Sequence, residues 1–211
     1  MNYFDIHTHT PPLNPDEALY SCSFKDISLP QTGIISVGIH PWHLTENNAE
    51  ELLHWLEKSA KNPRVVAIGE CGIDKLKGIS INKQIDIFKK CIMLSEQMSF
   101  PVIIHAVKCA EELIHMKKEI KPKMPWIIHG FRGKAPMAQS LLKHGFYLSF
   151  GEHYQEESLK CTPLDKIFLE TDESNLPIED IYKKAACKYG ITTEILKKSV
   201  ISNAQKVLFL R

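Results

Sequence analysis

The sequence predicts an α/β fold built on parallel strands. Short apolar runs, rich in β-branched and aromatic residues, recur at 3–6, 34–39, 65–69, 101–104, 126–128, 146–150 and 167–169. They are apolar on consecutive rather than alternate positions, the pattern of strands covered on both faces. Segments with helical spacing of apolar residues separate them, and strand–helix alternation along a chain signals parallel pairing. All but one of the runs end directly on a histidine or an acidic residue.

Taken in order, the run at 3–6 leads into His7-Thr8-His9. No amphipathic helix is legible between His9 and Ile34, although 19–24 (Leu-Tyr-Ser-Cys-Ser-Phe) reads as a short second strand. The first βα unit is therefore predicted to be trimmed. After the run at 34–39, Leu52 and Leu56 lie at helical spacing behind Asn47-Asn48-Ala49-Glu50, which reads as a capping box with Asn in place of Ser or Thr. Ile81, Ile85, Phe88 and Ile92 mark a second helix, Leu113, Met116 and Ile120 a third, and Met137 with Leu141 a short fourth. The segment from about Thr193 to Leu210 reads as one or two helices. These stripes are read as core packing. No linker, charge block or internal repeat interrupts the chain, so residues 1–211 are read as a single domain. A closed eight-stranded barrel usually takes about 250 residues. A chain of 211 is near the lower limit, and a distorted or incomplete barrel is expected.

Composition narrows the function classes. With 44% hydrophobic and 24% charged residues, the chain does not resemble a disordered, collagenous or coiled-coil protein. Lys and Arg number 26 against 25 Asp and Glu, a net charge of +1, which excludes a strongly basic surface as the main handle on nucleic acid. It leaves room for a local site. The start, Met1-Asn2-Tyr3-Phe4-Asp5-Ile6-His7, has no basic segment leading an apolar one, so no signal peptide is read. No run approaches the roughly 18 apolar residues of a membrane span. The six cysteines form no Cys-x-x-Cys pair and are read as reduced thiols of a cytoplasmic protein. No apolar stripe is spare enough to mark an obligate protein partner.

Parallel strands aim their carboxyl ends at one face of the fold, where ligands bind. Side chains distant in sequence should meet there: His7, His9, His40, Glu70, His105, His129 and Asp172. His7 and His9 are two apart at a strand end, so both point to the same side and can take one divalent ion. His105 and His129 can take a second, and Glu70 and Asp172 bring the carboxylates such sites need. Mixed nitrogen and oxygen donors without cysteine suit Zn, Mn, Fe or Co, and Mg less well. A lone His-x-His is a weak signal. Four histidines and two carboxylates at five strand ends are a strong one.

These residues sit in longer motifs: Phe4-Asp5-Ile6-His7-Thr8-His9, Val37-Gly38-Ile39-His40-Pro41-Trp42, Ile68-Gly69-Glu70-Cys71-Gly72-Ile73-Asp74, Pro101-Val102-Ile103-Ile104-His105, His129-Gly130-Phe131-Arg132-Gly133 and Leu169-Glu170-Thr171-Asp172. Together with Asn203-Ala204 and Leu208-Phe209, they resemble the TatD-type metal-dependent hydrolases, the TatD-related deoxyribonucleases of the amidohydrolase-like superfamily. The resemblance covers nearly the whole chain and implies a TIM-like (β/α) barrel. It implies two divalent ions (Zn, Mn, Mg, Co or Ni), one held by His7, His9 and Asp172, the other by His105 and His129, with Glu70 bridging. It also implies a nucleophilic hydroxide between them, oriented or deprotonated by Asp172. The chain departs from the family in being some tens of residues shorter, mostly between His9 and Gly38. Lys75-Leu76-Lys77-Gly78 follows Asp74, and Thr171-Asp172-Glu173-Ser174 lacks the proline of the family's Thr-Asp-x-Pro. These departures fall in loops on the active face.

With two ions, two carboxylates and a hydroxide, about one positive charge remains in the site, favouring an anionic substrate. Phosphate is the obvious class, because paired ions can clamp the attacking and leaving oxygens of a phosphodiester. Arg132 is the predicted phosphate contact, with Lys75 and Lys77 as further cations on that face. His40 is expected to line the pocket, and His43 to be pocket or surface. Asp74 should support a ligand histidine or a turn, and Trp42 should stack on a base or anchor a loop. Glu152 and His153 are read as surface residues, and His54, His115 and His144 receive no role.

The leading reading is a two-metal phosphodiesterase acting on DNA or RNA ends. Ester or amide hydrolysis by the same centre, including release of an acyl group from a tRNA, is the alternative. A non-catalytic, metal-stabilised binding protein is the remote one.

Overall fold

The computed structural model describes residues 3–26 and 28–209. The Met1-Asn2 start and the Leu210 end of the last predicted helix lie outside the described residues. Eight strands form one parallel sheet in sequential order: β1 (Asp5–Thr8), β2 (Ala18–Cys22), β3 (Ile34–Val37), β4 (Val65–Asp74), β5 (Val102–Val107), β6 (Trp126–Ile128), β7 (Tyr147–Phe150) and β8 (Ile167–Leu169). The sheet curls until Thr8 pairs with Asp172, just beyond β8. The expected barrel is thus present, and the short run near residue 20 is its second strand.

Helices α1 (Ala49–Ser59), α2 (Ile81–Met98), α3 (Ala110–Ile120), α4 (Ala135–Lys143), α5 (Glu156–Lys160), α6 (Ile178–Tyr189) and α7 (Thr193–Leu208) cover the outside. Among the described residues no helix follows β1 or β2, so two βα units are trimmed rather than one. The last predicted segment is a single helix, α7. Buried Asn203 ties it to the barrel by donating to Leu164 O and Ile167 O, both at 2.9 Å. No helix among the described residues is long and apolar enough to cross a membrane.

The apolar stripes pack as expected. Leu52, Leu56, Phe88, Ile92, Leu113 and Leu141 are all nearly inaccessible, each stabilising by roughly 1.5–3 kcal/mol if fully transferred from water. Met137 departs from its stripe and stays partly exposed. The capping box at α1 does not form. Asn48 is the first boundary residue, but its side chain turns backward, accepting from Thr45 N at 2.8 Å and donating to His43 O at 2.9 Å. It tightens the loop before the helix instead of capping its first turn.

Two strands run past the residues expected to end them. β4 continues through Glu70 to Asp74, and β5 through His105 to Val107, paired as Gly72 with His105 and Asp74 with Val107. Glycine permits this. A Cβ on Gly72 would lie 2.1 Å from His105 O, so only a residue without a side chain lets the strands approach. Glu70 and His105 consequently project from paired backbone rather than from a loop.

The seam between β1 and β8 is held mainly by one buried carboxylate. Asp5 accepts from Thr171 N at 3.1 Å, His7 N at 3.2 Å and Thr171 Oγ1 at 2.6 Å, and burial pushes its carboxyl up to about 7. Asp172 N donates to His7 O at 2.9 Å, and His9 N donates to Asp172 O at 3.1 Å. Replacing Asp5 by Ala strands two backbone N–H groups and a hydroxyl. Urea denaturation should show a loss of about 2–4 kcal/mol, on the usual cost of unsatisfied buried donors. Asp5→Asn keeps an acceptor for both N–H groups and an amide that donates to Thr171 Oγ1, so most of the stability should survive. Equal losses in the two variants would contradict this account of the seam.

Candidate metal centre

All six predicted ligands meet at the carboxyl-terminal mouth of the barrel. Glu70 is the hub. It is 6% exposed, and its two oxygens face different groups. Oε2 lies 3.2 Å from His9 Nε2 and 3.5 Å from His7 Nε2. Oε1 lies 2.7 Å from His105 Nδ1, 2.7 Å from His129 Nε2 and 3.2 Å from His40 Nε2. Asp172 Oδ1 completes the first group, 3.8 Å from His7 Nε2 and 3.7 Å from His9 Nε2. Asp172 sits at φ 56°, a left-handed conformation uncommon outside glycine and tolerated by Asp.

His40, predicted only to line the pocket, lies within the second group, 3.3 Å from His105 Nδ1. Its neighbour Trp42 occupies a 3₁₀ turn, Pro41–His43, and donates from Nε1 to Asp74 Oδ2 at 2.7 Å. Asp74 also stands 3.5 Å from His105 Nε2 and accepts from Leu76 N and Lys77 N through Oδ1. It therefore supports a histidine and a turn together, both of the roles expected for it. Buried Gln84, which carries no sequence signal, pins Asp74 by accepting from its N at 2.8 Å and donating to its O at 3.1 Å.

The residue that sequence reasoning overlooked is Glu170. It is fully buried behind His129, with Oε1 3.4 Å from Nδ1 and accepting from Gly130 N at 2.6 Å. Its place in Leu169-Glu170-Thr171-Asp172 was the available signal, but Asp172 took the attention. Two histidines of the second group thus have a carboxylate behind them, Asp74 for His105 and Glu170 for His129, while His40 accepts from Trp42 N instead.

The charges are strongly coupled. Burial alone would lower the pKa of His129, but Glu70 and Glu170 on either side of its ring outweigh burial and hold it well above the ordinary imidazole value. Burial alone would raise Glu70, and the surrounding histidines reverse that, keeping it well below the usual carboxylate range. Asp172 is pushed up by burial and by the nearby Glu170 charge. Burial lowers His40 and also His43, the latter to about 4 with help from Lys25.

Two adjoining hollows open on the mouth. A groove of about 340 Å³ runs over the cluster and past Tyr20, Ser21, His43 and Trp42. A cavity of about 290 Å³ lies on the other side of Asp172, walled by Arg132, Glu152, His153, Thr171 and Ser174. The predicted phosphate contact Arg132 therefore faces the neighbouring cavity, not the groove. Glu152 and His153, read as ordinary surface, stand in that cavity's wall, and Glu152 accepts from Ser174 Oγ at 2.6 Å. Lys75 is ion-paired with Glu112, and Lys77 Nζ sits 3.4 Å from the centre of the Trp42 ring. His54 and His115 are exposed on α1 and α3, and His144 ends α4 with Nδ1 2.8 Å from Ser140 O.

The chain resembles known proteins in both sequence and fold. The sequence profile described as TatD related DNase matches residues 15–208. An uncharacterized metal-dependent hydrolase of Buchnera aphidicola is 32% identical over 169 residues, covering 74% of this chain and 63% of that protein. A protein of Erwinia tasmaniensis named 3'-5' ssDNA/RNA exonuclease TatD is 30% identical over 148 residues, covering 65% of this chain and 56% of its own length. The chain thus matches under two thirds of these relatives. The crystal structure of YJJV, a TatD homolog from Escherichia coli, superposes with a TM-score of 0.84 at 16% identity, covering 99% of this chain and 98% of that one. That likeness shows the shared barrel.

The donor geometry itself tests whether a metal fits. A tetrahedral ion with ligands at 2.0–2.1 Å has donor–donor edges of about 3.4 Å. His7 Nε2, His9 Nε2, Glu70 Oε2 and Asp172 Oδ1 show edges of 3.2, 3.2, 3.5, 3.7 and 3.8 Å. The second group is tighter, from 2.7 to 3.3 Å, and equally free of sulfur. Both donor sets are of the nitrogen and oxygen type that a hard or borderline divalent cation takes; the 2.7 Å pairs of the second are hydrogen-bond distances, and His105 groups there with His40 and Glu70. A carboxylate behind a ligating imidazole fixes its tautomer, and its loss typically weakens metal affinity 10–100-fold. Glu170→Gln should show a loss of that order by competitive chelator titration, with the barrel's circular dichroism retained. Unchanged affinity would remove Glu170 from the centre.

Proposed function

This chain belongs to the TatD-related DNase family, and on that premise we propose that residues 1–211 form a single metal-dependent phosphodiesterase domain that hydrolyses the ends of single-stranded DNA or RNA. The carrying observation is the convergence of His7, His9 and Asp172 as one candidate ligand group, with Glu70 Oε2 3.2 Å from His9 Nε2 and 3.5 Å from His7 Nε2. His7, His9 and Asp172 would hold one ion and His105 and His129 the other, with Glu70 giving one oxygen to each. Bound there, two divalent cations would supply Lewis acidity toward a phosphoryl group and an activated water for attack on phosphorus.

The chain's own residues do the rest. Glu70 and Asp172 set two negative charges against the four of two divalent cations, so the ligand set keeps surplus positive charge and favours an anionic diester. Asp172 is half-buried between the groove and the adjoining cavity, placed to take the proton of the attacking water. Asp74 and Glu170 keep the rings of His105 and His129 from rotating. His40 stands at the groove's edge with Nε2 against Glu70 and Nδ1 accepting from Trp42 N, so it holds the pocket wall, and Arg132 can meet a phosphate from the neighbouring cavity. The Erwinia tasmaniensis relative named as a 3'-5' ssDNA/RNA exonuclease supports the reading. The cysteines, all free in this structure and four of them buried, support a reducing, cytoplasmic setting.

Glu70→Ala removes the shared ligand from both groups. Elemental analysis should show loss of bound metal, and cleavage of single-stranded oligonucleotides should fall by on the order of 10³-fold or more, since metal catalysis supplies several kcal/mol. Wild-type protein that carries metal but leaves single-stranded oligonucleotides intact, while cleaving a small ester or amide, would overturn the proposal.

A further inference from the structure

The mouth of the barrel is not uniform. Loops after β2, β3 and β4 carry half-exposed aromatic and apolar side chains interleaved with lysines: Phe24 and Lys25, Trp42, Leu76 and Lys77. The opposite rim, after β7 and β8, presents Glu152, Asp172 and Glu173. Trp42 is the centre of the first rim. It is 46% exposed, although its Nε1 is fixed to Asp74 and it abuts His105, with ring centres 5.6 Å apart. A loop anchor would be expected to bury the rest of its ring. Here the ring stands at the groove with an ammonium, Lys77 Nζ, 3.4 Å from its centre.

We infer that the rim formed by the loops after β2, β3 and β4 is the track for a single-stranded polynucleotide, with Trp42 as a platform for one unpaired base. Lys77 holds the indole face until a base replaces it, and its ammonium then meets the adjacent phosphate. The pair supplies what a single strand offers at each step, a π-face and a negative charge. A duplex cannot present an unstacked base. The opposite rim sets Glu152 and Glu173 against a phosphate backbone and leaves Arg132 to hold a single phosphate there, so the strand's run of bases lies on the Trp42 side. The inference rests on the nuclease reading and adds to it the side of approach and a residue that senses the base.

The test is the affinity of metal-loaded protein for a fluorescent oligothymidylate with phosphorothioate linkages, compared with the same strand made abasic at its terminal positions. Aromatic stacking of one base corresponds to roughly 5- to 150-fold in affinity. Wild type should prefer the base-bearing strand at least about 5-fold, and Trp42→Ala should reduce that ratio to near one. Trp42→Phe keeps a π-face but not the bond to Asp74, and should retain most of the preference. Lys77→Ala should keep the ratio and lower the slope of log affinity against log salt by about 0.7, the amount for one phosphate on a single strand. A wild-type ratio of one, or an undiminished ratio in Trp42→Ala, overturns the track. Cleavage of the same strand with native linkages is scored in parallel. Cleavage without base preference overturns the track alone, and neither cleavage nor binding overturns the nuclease reading with it.

Discussion

A carboxylate ringed by imidazoles at the bottom of a barrel mouth is the constraint on which this molecule is organised. Glu70 is 6% exposed, and desolvating a carboxylate costs several kcal/mol unless positive charge answers it. Here five histidine nitrogens from four segments of the chain crowd its two oxygens. The backbone is shaped to make that crowding possible. β4 carries Glu70 in mid-strand, and Gly72 draws β5 close enough to set His105 beside it. A loop would leave Glu70 free to turn toward water, whereas paired strand fixes it in the mouth.

The second constraint is that closure of the barrel and assembly of the first ligand group are the same event. His7 and His9 give β1 its side chains toward the centre, while their backbone atoms bond Asp172. Asp172 in turn reaches the centre through its own carboxylate. The seam cannot open without separating the ligands. An ion that binds only the closed form adds its binding free energy to the fold. Asp5 is the buried strut of this seam, and its placement two residues before His7 explains why the opening motif carries an acid that no ion needs.

Much of this was readable in advance, for a definite reason. Parallel strands place their carboxyl ends on one face, so a histidine or acid after each apolar run could be assigned to a common site without any coordinates. What escaped the sequence depends on contacts at a distance. The continuation of β4 and β5 rests on backbone approach at Gly72, which composition does not signal. Glu170 looked like a companion of Asp172 because only Thr171 separates them, yet it is fully buried behind His129 while Asp172 is half-buried at the groove. Helix α6 went unread because the stretch from Phe150 to Ile191 has weak apolar contrast, though Ile181, Tyr182, Ala185 and Ala186 bury one face of it. Asn48 met the rule for a cap by residue type, but the turn at Thr45 claimed its side chain.

The shortening of the chain explains the openness of one side of the mouth. In a barrel, helices on the outside support the loops that cover the inside. Here no helix follows β1 or β2 among the described residues, so the connections from β1 to β2 and from β2 to β3 lack such support. Trp42 and Lys77 then stand at the border of the opened sector, on the short turn after β3 and the hairpin-like excursion after β4. On the far side, β7 and β8 keep a walled cavity rich in carboxylates. Trimming only one half of the rim therefore makes the two sides of the centre unlike: one carries exposed Trp42 with Lys77 against its ring, and the other encloses a cavity walled by Glu152, Glu173 and Arg132.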